Sequence, residues 1–205
     1  MATRTYRQDV RAQQTQANTD RIVSTAVGLV KKTRRTADIT LDDLSRDSGV
    51  TVRTILRRFG SRDGVLEAAF GEIKKEFQGY RVPTTPGDVD AAVRTLLDQY
   101  ERIGDLNIRA LEQEHQLPLL HRALTEARRS HRVWLEHIFH PQLDSLSPQQ
   151  RERRLTALYA ATDVYLWKLL RRDLKLDRRE TEEAFLRLVH GVLTPELLSE
   201  SRKRG

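Results

Sequence analysis

Arginine is the residue type with a chemical task in this sequence. Between Thr40 and Asp63 the chain reads TLDDLSRDSGVTVRTILRRFGSRD, in which Arg53, Arg57, Arg58 and Arg62 gather on or beside one short segment. A guanidinium is planar, permanently charged and rich in donors, so such a set suits phosphate oxygens beside a base-reading segment. Catalysis has no comparable set. The chain contains no Cys, which excludes thiol nucleophiles, thiolate metal sites and disulfides. It has no G-x-S-x-G, no phosphate loop and no recognisable carboxylate pair, so no enzymatic activity is expected. His115, His121, His131, His137 and His140 include no i, i+4 pair, and neither a metal site nor a cofactor is expected.

The elements that must position the arginines follow from the local sequence. Thr40 with Asp43 three residues on predicts a capping box, starting a short helix near Leu41 with Leu41 and Leu44 on one face. Gly49 then ends it in the left-handed conformation. Thr51 is the predicted cap of a second helix running to about Phe59, with Ile55, Leu56 and Phe59 packing inward beside Val50. Its outer face presents Thr51, Val52, Arg53, Thr54, Arg57 and Arg58. Two short helices joined by a Gly-containing turn form a helix-turn-helix, whose second helix offers its N-terminal side chains to base edges in a major groove.

Around this motif the chain divides into four stretches. Residues 1–17 lack apolar periodicity and read as a flexible basic arm, with Arg4, Arg7 and Arg11 as candidate minor-groove contacts. Residues 18–81 form the helix-turn-helix domain, in which Ile22, Val23, Ala26, Val27, Leu29 and Val30 mark a bracing helix up to about Lys32. Ser61 caps a further helix carrying Val65, Leu66, Ala69, Phe70, Ile73 and Phe77 toward Tyr80. VPTTPG, residues 82–87, is the linker, and 88–205 form a second, helical domain.

Composition agrees with this division. Hydrophobic content of 38% and charged content of 32%, with 10 Gly and 6 Pro, predict an all-α chain, here of about nine helices. Residues 1–82 hold 16 Lys+Arg against 10 Asp+Glu, whereas residues 83–205 hold 20 against 19. The basic excess therefore sits with the helix-turn-helix, as a polyanion-binding head requires. The N-terminus has no apolar core and no long uncharged apolar run occurs, so a cytoplasmic protein with no membrane association is expected.

The helices expected beyond the linker are Asp88 to about Gly104, a shorter Asp105 to Gln116, and Leu119 to Phe139. Ser147-Pro148-Gln149-Gln150 starts a long helix to about Leu174, and Asp177 with Glu180 caps the last. Small residues Ala157, Ala160 and Ala161 permit close helix approach, and the two wide apolar C-terminal faces suit a homodimer.

Residues 18 to about 80 resemble the DNA-binding domain of the TetR/AcrR family of bacterial transcriptional regulators. The resemblance rests on IVSTAVGLV, TLDDLS, GVTVRTILRRF and FGSRD in that order. It implies that Thr51, Val52, Arg53 and Thr54 face bases, that Thr40, Arg57, Arg58 and Arg62 face phosphates, and that the fourth helix links DNA affinity to the body. Two positions depart from the family pattern: Leu56 stands where a phosphate-contacting Tyr is usual, and Arg34-Arg35-Thr36 replaces a Gly-containing loop. The resemblance further implies an inducer pocket, for which Leu96, Tyr100, Trp134 and Ile138 are candidates. It also implies a dimer interface formed by the last two long helices, with Leu158, Ala161, Tyr165, Leu169, Phe185, Leu188 and Val192 as candidates. The expected protein is a homodimeric regulator, a repressor, that binds a pseudo-palindromic duplex operator and is released by an apolar or amphiphilic small molecule. The alternative is a ligand- or protein-interaction module that keeps the fold without specific DNA readout.

Overall fold

A computed structural model describes residues 2–79 and 83–194, with side chains from residue 12 onward. Ten α-helices and no strand occur among them: α1 (Ala2–Lys32), α2 (Leu41–Ser48), α3 (Val52–Phe59), α4 (Arg62–Gly79), α5 (Val89–Glu112), α6 (Pro118–Ile138), α7 (His140–Leu143), α8 (Pro148–Ala161), α9 (Val164–Lys168) and α10 (Arg178–Leu193). The chain forms two compact units, one from residues 1–76 with 113–121, the other from 77–112 with 122–205.

In the first unit, α1 buries Ile22, Ala26 and Val30 at four-residue intervals, the face its sequence pattern requires. Ile39, Leu44, Val50, Ile55, Val65, Leu66, Ala69 and Ile73 are buried as well, as are Leu119 and Leu120, with α1 packed on α2 and α2 on α3. The expected flexible arm is different: the backbone is helical from Ala2. Residues 2–17 contain no Gly or Pro and are rich in Ala, Gln and Arg, so nothing in them stops the helix from extending toward the N-terminus. The side chains of Arg4, Arg7 and Arg11 lie outside the described residues.

The second unit is built on a core shared by α5, α6, α8, α9 and α10, with Leu96, Leu97, Leu135, Phe139, Leu158, Trp167, Phe185 and Val189 almost fully enclosed. Two helix boundaries differ from expectation, each for a local reason. Gly104 does not end a helix, and α5 runs through it to Glu112. The absent side chain makes room for the ring of Trp167, whose Cη2 and Cε3 would lie 2.5 and 2.6 Å from a Cβ at this position. The long helix expected after Pro148 breaks at Thr162-Asp163. Thr162 Oγ1 donates back to Leu158 O (2.7 Å), and Asp163 recaps the chain by accepting from Tyr165 N (2.9 Å). The carbonyl freed at Thr162 accepts from the Tyr100 hydroxyl (2.8 Å). A π-helical turn over Leu169–Asp173 follows α9, ending near Lys175 at φ +57°.

Candidate nucleic-acid interface

The frame around α3 is set by hydrogen bonds the sequence foreshadows. Thr40 Oγ1 accepts from Asp43 N (3.1 Å), while an Asp43 oxygen accepts from Thr40 N (3.0 Å) and from the Thr40 hydroxyl (2.7 Å). These bonds from Thr40, reinforced by Arg46, hold the Asp43 carboxyl down at about 2. Gly49 takes φ +66° and closes α2. Val50 N donates to Ser48 Oγ (3.2 Å), and Thr51 Oγ1 caps α3 by accepting from Thr54 N (3.4 Å). The tight turn into α4 requires Gly64, where a Cβ would meet the Phe59 carbonyl, a backbone group unable to yield.

Helical geometry then divides the side chains of α3. Ile55 is fully buried, and Val52, Thr54 and Phe59 are half-buried. Arg53, Leu56, Arg57 and Arg58 are exposed. Arg53 and Arg57, four residues apart, form a ridge opposite Ile55. Among the described residues no carboxylate pairs with Arg53, Arg57 or Arg58, and α3 itself contains no acid. The arrangement is a capped, rigid helix presenting uncompensated guanidinium groups, which suits a polyanion with readable base edges.

Three of the expected contacts are placed differently. Leu56 does not pack inward, because the inner face is already filled by Ile55 and Phe59. Val52 lies toward the inner flank and not at the crest. Arg62 is committed within the chain: it donates to Ala37 O (3.0 Å) and Ile39 O (3.4 Å) and pairs with Asp63 (2.7 Å). It therefore ties the loop before α2 to the start of α4. Thr40 is exposed at the start of α2, with its hydroxyl engaged in the cap.

Sequence reasoning missed Gln113. Its side chain is buried, accepting from Thr36 N (2.8 Å) and donating to Arg34 O (3.2 Å), so it fixes the Arg34-Arg35-Thr36 loop. No sequence signal joins a glutamine to a loop 77 residues away.

In the second unit, Leu96, Tyr100 and Ile138, expected to line a pocket, belong to the packed core. Trp134 is half-buried and stacks on His131 at 5.8 Å. Of the candidate interface residues, Leu158 and Ala161 of α8 and Phe185 of α10 are core residues, because α10 packs on α8 and α5 within the same chain. Tyr165, Leu169 and Leu188 are exposed, and Val192 is half-buried. Leu188, Gly191 and Val192 of α10 line a groove of about 330 Å³ with Arg153, Arg154, Ala157 and Arg187. Arg154 is 8% exposed, and its Nε has no hydrogen-bond partner among the described residues. No helix of the described residues is long and apolar enough to cross a membrane, and no group of three or more His, Asp or Glu among them could hold a metal.

No protein-family model and no curated protein matches the chain. A crystal structure described as a TetR-family transcriptional regulator from Rhodococcus sp. is similar in fold, with a TM-score of 0.62 at 16% sequence identity. The similarity covers 87% of this chain and 100% of that one. The chain thus has the all-helical fold of that regulator.

Proposed function

We propose that this TetR-fold chain is a cytoplasmic transcription regulator of that family, binding a pseudo-palindromic duplex operator as a homodimer and acting as a repressor. The observation that carries the proposal is the unpaired Arg53–Arg57 ridge on a helix capped at Thr51 and packed on α2. Arg53, in the first turn of α3, reads base edges with Thr51 and Thr54, while Arg57 and Arg58 hold phosphates. Val52 supplies apolar contact at the edge of that set. Arg62 and Thr40 act chiefly on the frame.

The dimer proposal rests on the face shared by α8 and α10. Leu188, Ala157, Gly191 and Val192 offer an apolar surface that includes two small residues, which favours close approach of a second pair of helices. The unpartnered Nε of buried Arg154 calls for an acceptor that a second copy can supply. Tyr165 and Leu169 are further exposed apolar side chains of the same unit. An apolar or amphiphilic effector acts by preferring a body conformation in which the core around Tyr100 opens, with a coupling of about 1–3 kcal/mol.

The test is fluorescence anisotropy on a duplex selected by the protein and on an unrelated duplex. Arg53→Ala is expected to weaken the selected duplex by about 1–3 kcal/mol and to relax base preference. Arg57→Ala weakens both duplexes alike and lowers the salt dependence. An equal effect of Arg53→Ala on both duplexes overturns the base-reading role. Equal binding to all duplexes by the unaltered protein favours the interaction-module reading.

A further inference from the structure

Leu56 is 38% exposed, and among the described residues of the first unit no other large apolar side chain is so open. It stands three residues after Arg53 and one before Arg57, and four after half-buried Val52. Residues four apart on a helix stack on one face, so α3 carries two neighbouring ridges. One is apolar, Val52–Leu56, and the other cationic, Arg53–Arg57. Alone, an exposed leucine is unremarkable in a protein surface. Here it lies within a strip of unpaired guanidinium groups with no acidic side chain on the helix. Charge complementarity makes the facing surface polyanionic, and the apolar group that the major groove of duplex DNA offers is the 5-methyl of thymine.

Resting on the DNA-binding function proposed above, we propose that Leu56 is a specificity residue that reads a thymine methyl in the major groove, beside the base contacted by Arg53. The apolar ridge covers the methyl while the cationic ridge engages an adjacent guanine edge and the phosphate behind it. Half-buried Val52 closes the inner side of this contact and excludes water from it. The leucine thus gives base preference at a position where a tyrosine hydroxyl would give a sequence-independent phosphate bond.

Replacing thymine by uracil removes the methyl and leaves every hydrogen-bonding group of the base pair in place, so it isolates this contact. The experiment uses the full-length protein and the duplex it selects from random sequence, with uracil introduced at one thymine at a time. The expected result is a loss of about fourfold at one thymine of each half-site, the effect of burying about one methyl group. Leu56→Ala binds thymine and uracil duplexes alike, while keeping the guanine preference that depends on Arg53. Leu56→Met restores discrimination, which a general disturbance of α3 would not allow. Equal affinity for thymine and uracil at every position, or discrimination that survives in Leu56→Ala, overturns the inference and leaves the regulator function standing. Selection of no sequence at all overturns both.

Discussion

Gly104→Ala tests the packing that holds the second unit together. A Cβ at this position would lie 2.5 and 2.6 Å from Cη2 and Cε3 of Trp167, where carbon atoms ordinarily rest about 3.5–4.0 Å apart. Relief therefore needs a shift of about 1 Å by the ring or the helix. The ring has little freedom to give it. Trp167 is fully buried, its Nε1 donates to Glu101 Oε1 (3.0 Å), and the Arg172 guanidinium lies 4.4 Å from the ring centre. Glu101 is itself clamped by Arg171 at 2.7 and 3.1 Å, which holds its carboxyl below the usual range. Overpacking of this kind costs about 1–3 kcal/mol, and alanine in place of glycine within a helix returns about 0.5–1 kcal/mol. Because the ring is held by Glu101 and Arg172, the cost lies in the upper part of that range, about 2–3 kcal/mol, and a net destabilisation of about 1–2.5 kcal/mol is expected. Both tryptophans, Trp134 and Trp167, lie in the second unit, so their emission during urea unfolding reports on it directly. A midpoint that is unchanged or raised in Gly104→Ala would refute the claim that α5 and α9 close on each other through this glycine.

The remaining predictions concern the head and the dimer. Asp43 titrates near 2 in the folded protein, so its contribution is present above the ordinary carboxylate pKa and disappears as pH falls from about 4 toward 2. Asp43→Asn should flatten the acid limb of the stability curve in that window, and an unchanged limb in a circular-dichroism pH titration would contradict the cap. Arg62→Gln should destabilise the first unit by about 0.5–1.5 kcal/mol, because its part-buried bonds to the Ala37 and Ile39 carbonyls lose the guanidinium donor. Unchanged stability with a reduced salt dependence of DNA binding would return Arg62 to the phosphate-contacting set. Leu188→Glu places a charge in the groove between α8 and α10 and should give monomers by sedimentation velocity. Dimers of undiminished affinity would move the interface elsewhere.

How far the sequence foretold the structure depended on the range of the physics at each residue. Thr40, Ser147 and Asp177 each form the capping box their neighbours imply, because the partners lie three residues apart. Gly49 and Thr51 were legible for the same local reason. Gly104 was misread as a stop, because its role depends on Trp167 from a distant helix. Periodicity also could not tell an intrachain core from an interface. Leu158 and Phe185 satisfy the same pattern as Leu188, and only the packing of α8 on α10 separates them. At the candidate site, the bounds of α3 and the exposure of Arg53, Arg57 and Arg58 could be read directly. The inward turn of Arg62, the buried Gln113 and the outward Leu56 required tertiary contacts, since each is decided by which acceptors or apolar faces neighbouring elements leave unoccupied.

The central claim is that α3 reads a duplex sequence from a twofold-symmetric assembly. Its most direct test is selection of the purified full-length protein against random duplex DNA at near-physiological salt, where non-specific electrostatic binding is weak and base readout persists. Enrichment of an inverted repeat with a fixed half-site spacing is the predicted result. Salt-sensitive binding to every duplex, with no sequence enriched, would contradict it.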